Sequence, residues 1–451
     1  MIRVLHVSPT DGDGGAAVGA YNLHKAVQQA GIDSTMLVLR KYGRDPSVVT
    51  RRGTQKALLD SLRDPLDRLP LQFYRWEPHN WWSVGWLPFD IKATVDRLRP
   101  DIVHFHWAGR GAVPIRTIAR LQDYPLVWTL RDMWPLTGGC HYAGECSRYT
   151  SGCGSCPQLG SRSDFDISRW QWRRKHRYWR DAAITFVPLS NWMAACARQS
   201  PLTFKNEITV IPNGVNVDRF KPLDQAMARA VWGLPMDRKV VLFGALHGVK
   251  DPRKGFGYLA KALRLLMAQG WEDRLIAVAF GGEGGDDQLG FPIRYVGRLH
   301  DDVSIALLYA CADVMVVPSI YENAAKTALE AMSCGTPVAA FANTGQVDIV
   351  DHKINGYLAE NLSADDLARG IAWCLEHGGP GSALSQQARE KVLRHFDISK
   401  IARQHVALYE RLLAEHSKVS KKIGEESAND AEALPYAVQD GLARSNDGSI
   451  S

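Results

Sequence analysis

Short apolar runs recur along the chain, and between them lie stretches in which apolar side chains return every three or four positions. Residues 2–7 form a β-rich run, residues 8–15 a turn of small and acidic side chains, and residues 16–30 a helical pattern that stops at Gly31. Further strands are expected at 35–39, 101–106, 126–130 and 184–189. The second half repeats the scheme, with strands at 239–243, 275–280, 293–296, 314–317 and 337–341 and helices such as 257–268, 304–310 and 327–334. Strands alternating with helices predict an α/β protein with doubly wound parallel sheets, and each half has the size of one Rossmann-like domain. Residues 210–218 hold Pro212 and the pair Asn213-Gly214, a turn at which two domains could hinge.

This reading divides the chain into a first domain over 1–205 with a cysteine-rich insertion at 138–160, and a second domain over 206–395. An amphipathic helix at 396–415 packs back, and a tail over 416–451, rich in Ser, Lys, Glu, Asp and Ala, is expected to be disordered. Ligands of such sheets bind beyond the carboxyl ends of the strands, so the site is expected in the cleft between the halves.

Composition adds an asymmetry. The net charge is +6, yet residues 1–190 carry 26 basic and 17 acidic side chains, and 11 of the 14 tryptophans lie between Trp76 and Trp192. The two halves should therefore meet different partners. No apolar run approaches the roughly 20 residues of a membrane span, and the chain opens as a strand, so a cytoplasmic protein is expected.

Residues 318–332 follow a predicted strand and open a helix, with Glu322 near its start and Glu330 two turns in. Free N–H groups at a helix N-terminus suit hydroxyl and phosphate oxygens, and a carboxylate accepts two vicinal hydroxyls. The stretch Glu322…Glu330-Ala331-Met332-Ser333-Cys334-Gly335-Thr336-Pro337-Val338 resembles the donor signature of the family-4 retaining glycosyltransferases of the GT-B fold. The linker from Ile211 to Asp218 and the pair Lys254-Gly255 are similar to that family's as well.

The resemblance implies that Glu330 binds the ribose hydroxyls of a nucleotide sugar and that Glu322 lies by the transferred sugar. The N–H groups of Asn323, Ala324 and Ala325 would contact the sugar hydroxyls. A basic pair holds the diphosphate in place of a catalytic metal, so no catalytic metal is expected. Lys254 matches the family's lysine. The usual arginine follows a strand-end glycine, where this chain has Ala245, so Lys250 or Arg253 must supply that charge, and Arg253 is the choice. Gly14 and Gly15, in the first strand–helix loop, leave room for a phosphate or sugar. Asp11-Gly12-Asp13 looks like a metal motif of another glycosyltransferase fold and reads as a decoy in this loop.

His104 and His106 end a strand and share one face, His106 nearer the cleft; in the family such histidines line the site, which makes His106 a catalytic candidate and His104 an acceptor or phosphate candidate. The next strand ends on Arg131 where the family has a histidine. A guanidinium cannot shuttle protons, so Arg131 is expected to grip phosphate or a carboxylated sugar. Cys140, Cys146, Cys153 and Cys156 crowd into seventeen residues. A structural Zn²⁺ bound by four thiolates accounts for them best, with His141 able to replace one sulfur; free thiols and an iron–sulfur cluster are the alternatives. The surrounding Trp-Thr-Leu-x-Asp-Met-Trp-Pro and Thr-Gly-Gly-Cys-His-Tyr segments are similar to a subgroup of exopolysaccharide enzymes, including colanic acid transferases.

Residues 169–180 place six permanent cations among four aromatics. They read either as a surface helix with its aromatics turned inward, or as a patch for anionic lipid or a lipid-diphosphate acceptor; nucleic acid is the minor option. Together these expectations describe a retaining glycosyltransferase that moves a sugar from a nucleotide-diphosphate sugar to a glycan or polyprenyl-diphosphate acceptor. It would act in exopolysaccharide or lipopolysaccharide synthesis, peripheral on the inner membrane. The competing reading is a non-catalytic, zinc-containing binder of polysaccharide or nucleic acid.

Overall fold

The computed structural model describes residues 1–51, 62–77, 80–88, 90–244, 251–282, 291 and 293–432, with side chains to residue 418. It contains two six-stranded parallel sheets. The first comprises β1 (Arg3–Thr10), β2 (Asp33–Arg40), β3 (Val48–Thr50), β4 (Ile102–Phe105), β5 (Leu126–Leu130) and β6 (Ile184–Pro188), in the order 3-2-1-4-5-6. The second comprises β7 (Lys239–Gly244), β8 (Leu275–Phe280), β9 (Ile293–Tyr295), β10 (Val314–Val317), β11 (Val338–Phe341) and β12 (Gly356–Ala359). Its order, 12-11-10-7-8-9, is the same topology repeated. Central strands such as β5 and β10 are buried at every residue, as a parallel sheet covered on both faces requires.

Two helices matter most for the site. Helix α1 (Gly15–Gln29) follows β1 and starts from Gly14, whose φ of 88° lies in the left-handed region that glycine tolerates. Helix α4 (Lys326–Ser333) follows β10 and carries Glu330 and the stretch that resembles the donor signature; between them in sequence lie α2 (Ile167–Trp179) and α3 (Phe256–Leu266). The last helix, α5 (Ile398–Glu432), begins beside the linker, where the Val215 N–H donates to the Phe396 carbonyl and the Ile398 N–H to the Val215 carbonyl. It then crosses back over the first sheet, burying Ile401, Leu408 and Tyr409 in one cluster with Val4, Leu23 and Val27.

The helix outlasts its expected end at residue 415. Residues 416–432, expected to be disordered, continue it. Their Lys, Glu and Ala are good helix formers even without an apolar face to bury, which the compositional argument overlooked. Residues 433–451 lie outside the described residues. No described helix is long and apolar enough to cross a membrane.

Candidate active site

The carboxyl ends of both sheets open onto one cavity of about 730 Å³, lined by residues of both halves. On the second-sheet side, Glu330 sits one turn into α4 and is 3% exposed. Its carboxylate pairs with Lys326 one turn earlier and accepts a hydrogen bond of 3.0 Å from the Tyr309 hydroxyl. Lys326 and Tyr309 border the cavity too, and sequence reasoning passed over both. Lys326, four residues ahead of Glu330, carried a visible signal in the spacing of a helical ion pair.

Glu322, in the loop before α4, pairs with Lys254. Burial alone would raise its carboxyl, but Lys254 and Arg253 outweigh that and hold it below the usual range, so it is ionised. Lys254 is brought there by Gly255, whose φ is 71° and whose Cα approaches Pro318 so closely that a Cβ would lie 1.8 Å from the Pro318 oxygen. Asn323, Ala324 and Ala325 line the cavity beside Glu322. The Asn323 side chain spans the two halves, donating to the Leu130 carbonyl at 2.8 Å and accepting from Ser190 Oγ at 2.8 Å.

Arg253 lies next to Lys254 at the cavity and pairs with Asp251 at 2.9 Å. Its guanidinium carbon lies 4.4 Å from the centre of the Tyr142 ring, which belongs to the cysteine-rich insertion of the first half. The alternative, Lys250, lies outside the described residues. Tyr142 was missed in the sequence because nothing local connects it to a residue 111 positions away. On the opposite rim Gly14 and Gly15 line the cavity, and a Cβ on Gly15 would meet nothing within 4 Å, so the first turn of α1 is open to a ligand. Asp11 is used up as a staple, its carboxylate accepting the N–H groups of Tyr42 and Gly43 at 2.7 and 2.9 Å.

The histidines do not line the cavity, contrary to expectation. His104 and His106 are buried on the face of the first sheet that α5 covers. His104 bonds Tyr409 of α5 at 2.7 Å and Thr129 at 2.8 Å, and His106 bonds His6 at 2.8 Å. The strand-end pattern placed both on one face correctly, but the returning helix closes that face. Arg131, which contacts His106, reaches the cavity from this layer. Burial lowers its guanidinium to about 9, and it donates to the side-chain Oδ1 of Asn213 on the linker at 3.1 Å.

The four insertion cysteines are neighbours whose thiols burial pushes upward at Cys140, Cys153 and Cys156. A tetrahedral thiolate cage with Zn–S bonds of about 2.3 Å would bring its sulfurs within about 4 Å of one another. Among the described residues the group of three metal-capable ligand atoms within 4.8 Å of one another is His6, His104 and His106, so no three of the cysteine sulfurs are drawn that close. Cys140 and Cys153 pack against the first core instead, and Cys156 joins Leu71, Trp82 and Val84. His141 turns away from them to bond Asp132 and Ser83. In α2, Lys175 is buried over the Trp134 ring at 3.6 Å, while Arg174 lies over the exposed Trp170 at 4.5 Å.

Two like-ordered parallel sheets facing each other over a cavity, with paired carboxylates and cations on one wall, define the GT-B class of fold. The chain belongs to the glycosyltransferases: residues 13–219 match the model of Glycosyltransferase Family 4, and residues 237–377 that of Glycosyl transferases group 1. A D-inositol 3-phosphate glycosyltransferase of Mycolicibacterium paratuberculosis is 30% identical over 221 residues, 48% of this chain and 50% of that protein. The chain thus spans about half the length of the curated relatives it matches. Among solved structures, sucrose-phosphate synthase of Thermosynechococcus elongatus aligns with a TM-score of 0.64 at 23% identity, over 92% of this chain and all of that one. Anabaena HepE, solved with UDP-glucose, aligns with a TM-score of 0.61 at 18% identity, over 91% of this chain and all of that one.

Proposed function

We propose that the protein is a retaining glycosyltransferase that uses a nucleotide-diphosphate sugar and delivers the sugar to a glycan or polyprenyl-diphosphate-linked acceptor in surface polysaccharide assembly. The observation that carries this reading is the pairing of Glu322 with Lys254 and of Glu330 with Lys326 on one wall of a shared cavity. Each carboxylate is fixed beside its cation, where a diol can replace or join that cation, and Lys254 and Arg253 hold Glu322 ionised. Lys254 and Arg253 stand side by side where a diphosphate would receive two positive charges as it departs.

In this mechanism the bond from the sugar C1 to the diphosphate oxygen breaks, and the acceptor oxygen forms its bond to C1 on the same face. The acceptor hydroxyl proton passes to the departing phosphate oxygen, so no protein base is required. That agrees with the absence of the buried His104 and His106 from the cavity lining. The exposed arginines and Trp170 of α2 would meet an anionic membrane surface on the inner face, which suits a lipid-linked acceptor.

Titration calorimetry with UDP, GDP and ADP tests the donor side. One of the three should bind, and its sugar conjugate should release the nucleotide diphosphate on incubation with acceptor. Failure of all three to bind removes the reading.

A further inference from the structure

Across the cavity from the donor residues, Trp81, Trp107, Arg110, Asp132 and His141 form a wall to which nothing above assigns a ligand. The two indole rings meet edge to face at 6.0 Å, and the Arg110 guanidinium carbon lies 4.7 Å from one ring centre and 5.6 Å from the other. Arg110 has φ of 55°, a left-handed conformation uncommon outside glycine. Its backbone N–H donates to Ser83 Oγ at 2.9 Å. Ser83 Oγ lies 2.8 Å from His141 Nε2, and His141 Nδ1 lies 2.6 Å from Asp132 Oδ2, which also accepts the Trp107 indole N–H.

With the His141 proton on Nδ1 toward Asp132, Ser83 donates to Nε2 and is left to accept from Arg110. The relay therefore fixes the Trp107 ring and the strained Arg110 backbone together. Ser83 is 1% exposed and does not border the cavity, so it is a positioning residue rather than a nucleophile. Gly109 lets the loop close on the relay, since a Cβ there would lie 2.5 Å from His141 Cε1. A strained residue held by such a network at a cavity wall is a mark of function.

On this wall the Asp132 carboxylate is taken up by His141 and the Trp107 N–H. The carboxylate nearest Arg110 is that of Asp64 at 3.7 Å, which is already paired with Arg68. Arg131, on the same side of the cavity, has Asn213 and His106 as its hydrogen-bond partners among the described residues, and neither is anionic.

From this geometry we infer an acceptor subsite for a sugar bearing a carboxylate or a phosphate. The sugar ring lies on Trp81 and Trp107, and Arg110 takes the anion. The word acceptor rests on the glycosyltransferase reading; the anion site does not.

Calorimetry of the full chain with D-glucose, D-glucuronate and D-glucose 6-phosphate, each with and without UDP, tests the inference. At least one anion should bind about tenfold more tightly than glucose, and the tighter of the two tells carboxylate from phosphate. Arg110→Gln should bring that anion down to the glucose level with UDP affinity unchanged, and Arg110→Lys should keep part of the preference. Trp81→Ala should weaken all three sugars alike, because stacking is blind to charge. Equal binding of the three sugars, binding of neither anion, or UDP affinity that falls with the anion in Arg110 variants of unchanged melting temperature overturns the proposal. Selective anion binding by a chain that binds no nucleotide diphosphate overturns the glycosyltransferase reading instead and leaves this site standing.

Discussion

Glu330 and Lys254 are the side chains on which the donor assignment turns, and they should fail in different ways. Glu330→Gln keeps the shape and the Tyr309 contact but removes the charge that holds Lys326 and accepts a diol. Nucleotide affinity should fall about tenfold, roughly 1.4 kcal/mol, with turnover at saturation little changed; calorimetry and kinetics on one sample check this. Lys254→Ala removes charge needed most as the diphosphate leaves, so kcat should fall about a hundredfold or more while the acceptor KM stays within about twofold. Both residues were legible in the sequence, Glu330 because the helix and the loop before it place their chemistry within a dozen positions, and Lys254 because the pair Lys254-Gly255 is itself a local motif. Arg110, Trp81 and Asp132 were not, because their meeting depends on contacts such as Ser83 with His141, 58 positions apart.

At the scale of elements, apolar runs identify the long buried strands but not β3 or β12. Val48–Thr50 has three residues, and Gly356–Ala359 is small at both ends, so neither shows a pattern of its own. The insertion is the element whose role changed most. Besides the thiols that drew attention as a metal site, it reaches across the cleft with Tyr142 over Arg253. Residues 139–141 are pinned first, through Ser83 N–H to the Gly139 carbonyl at 3.0 Å and His141 N–H to the Trp81 carbonyl at 2.9 Å. Tyr142 is thereby presented to Arg253 from a rigid base. Tyr142→Ala should raise the donor KM about fivefold, the worth of a partly desolvated cation–π contact of about 1 kcal/mol, and Tyr142→Phe should restore it. Steady-state kinetics at saturating acceptor measure both; an alanine variant with a native donor KM would mean that the contact holds no part of the diphosphate site.

For the molecule as a whole, α5 ties the halves together, and the buried histidines beneath it make that tie sensitive to acid. His405 and Tyr409 of α5 face His104, with His6 and His106 beside them and Arg131 on the cavity side. Burial pushes His405 down to about 3 and His24 to about 4, and holds His6, His104 and His106 well below the ordinary value. An unfolded histidine takes its proton near pH 6.5, so below that pH the unfolded chain binds more protons than the folded one. Stability is therefore complete above about pH 6.5 and declines as acid is added, by up to about 1.4 kcal/mol per histidine per pH unit. Scanning calorimetry should find the melting temperature flat from about pH 8 to 7 and falling steeply between about 6.5 and 5, before carboxylates begin to titrate. Two variants separate the proton effect from packing. His405→Gln should lower the slope in that window by one histidine's share, up to about 1.4 kcal/mol per pH unit, and leave the rest. Tyr409→Phe, which removes the hydrogen bond to His104 without removing a titrating group, should cost about 1 kcal/mol at every pH and leave the slope as it was. A melting temperature independent of pH down to about 5 would mean that protons reach these rings in the folded protein, and that α5 is not the seal it forms in the structure.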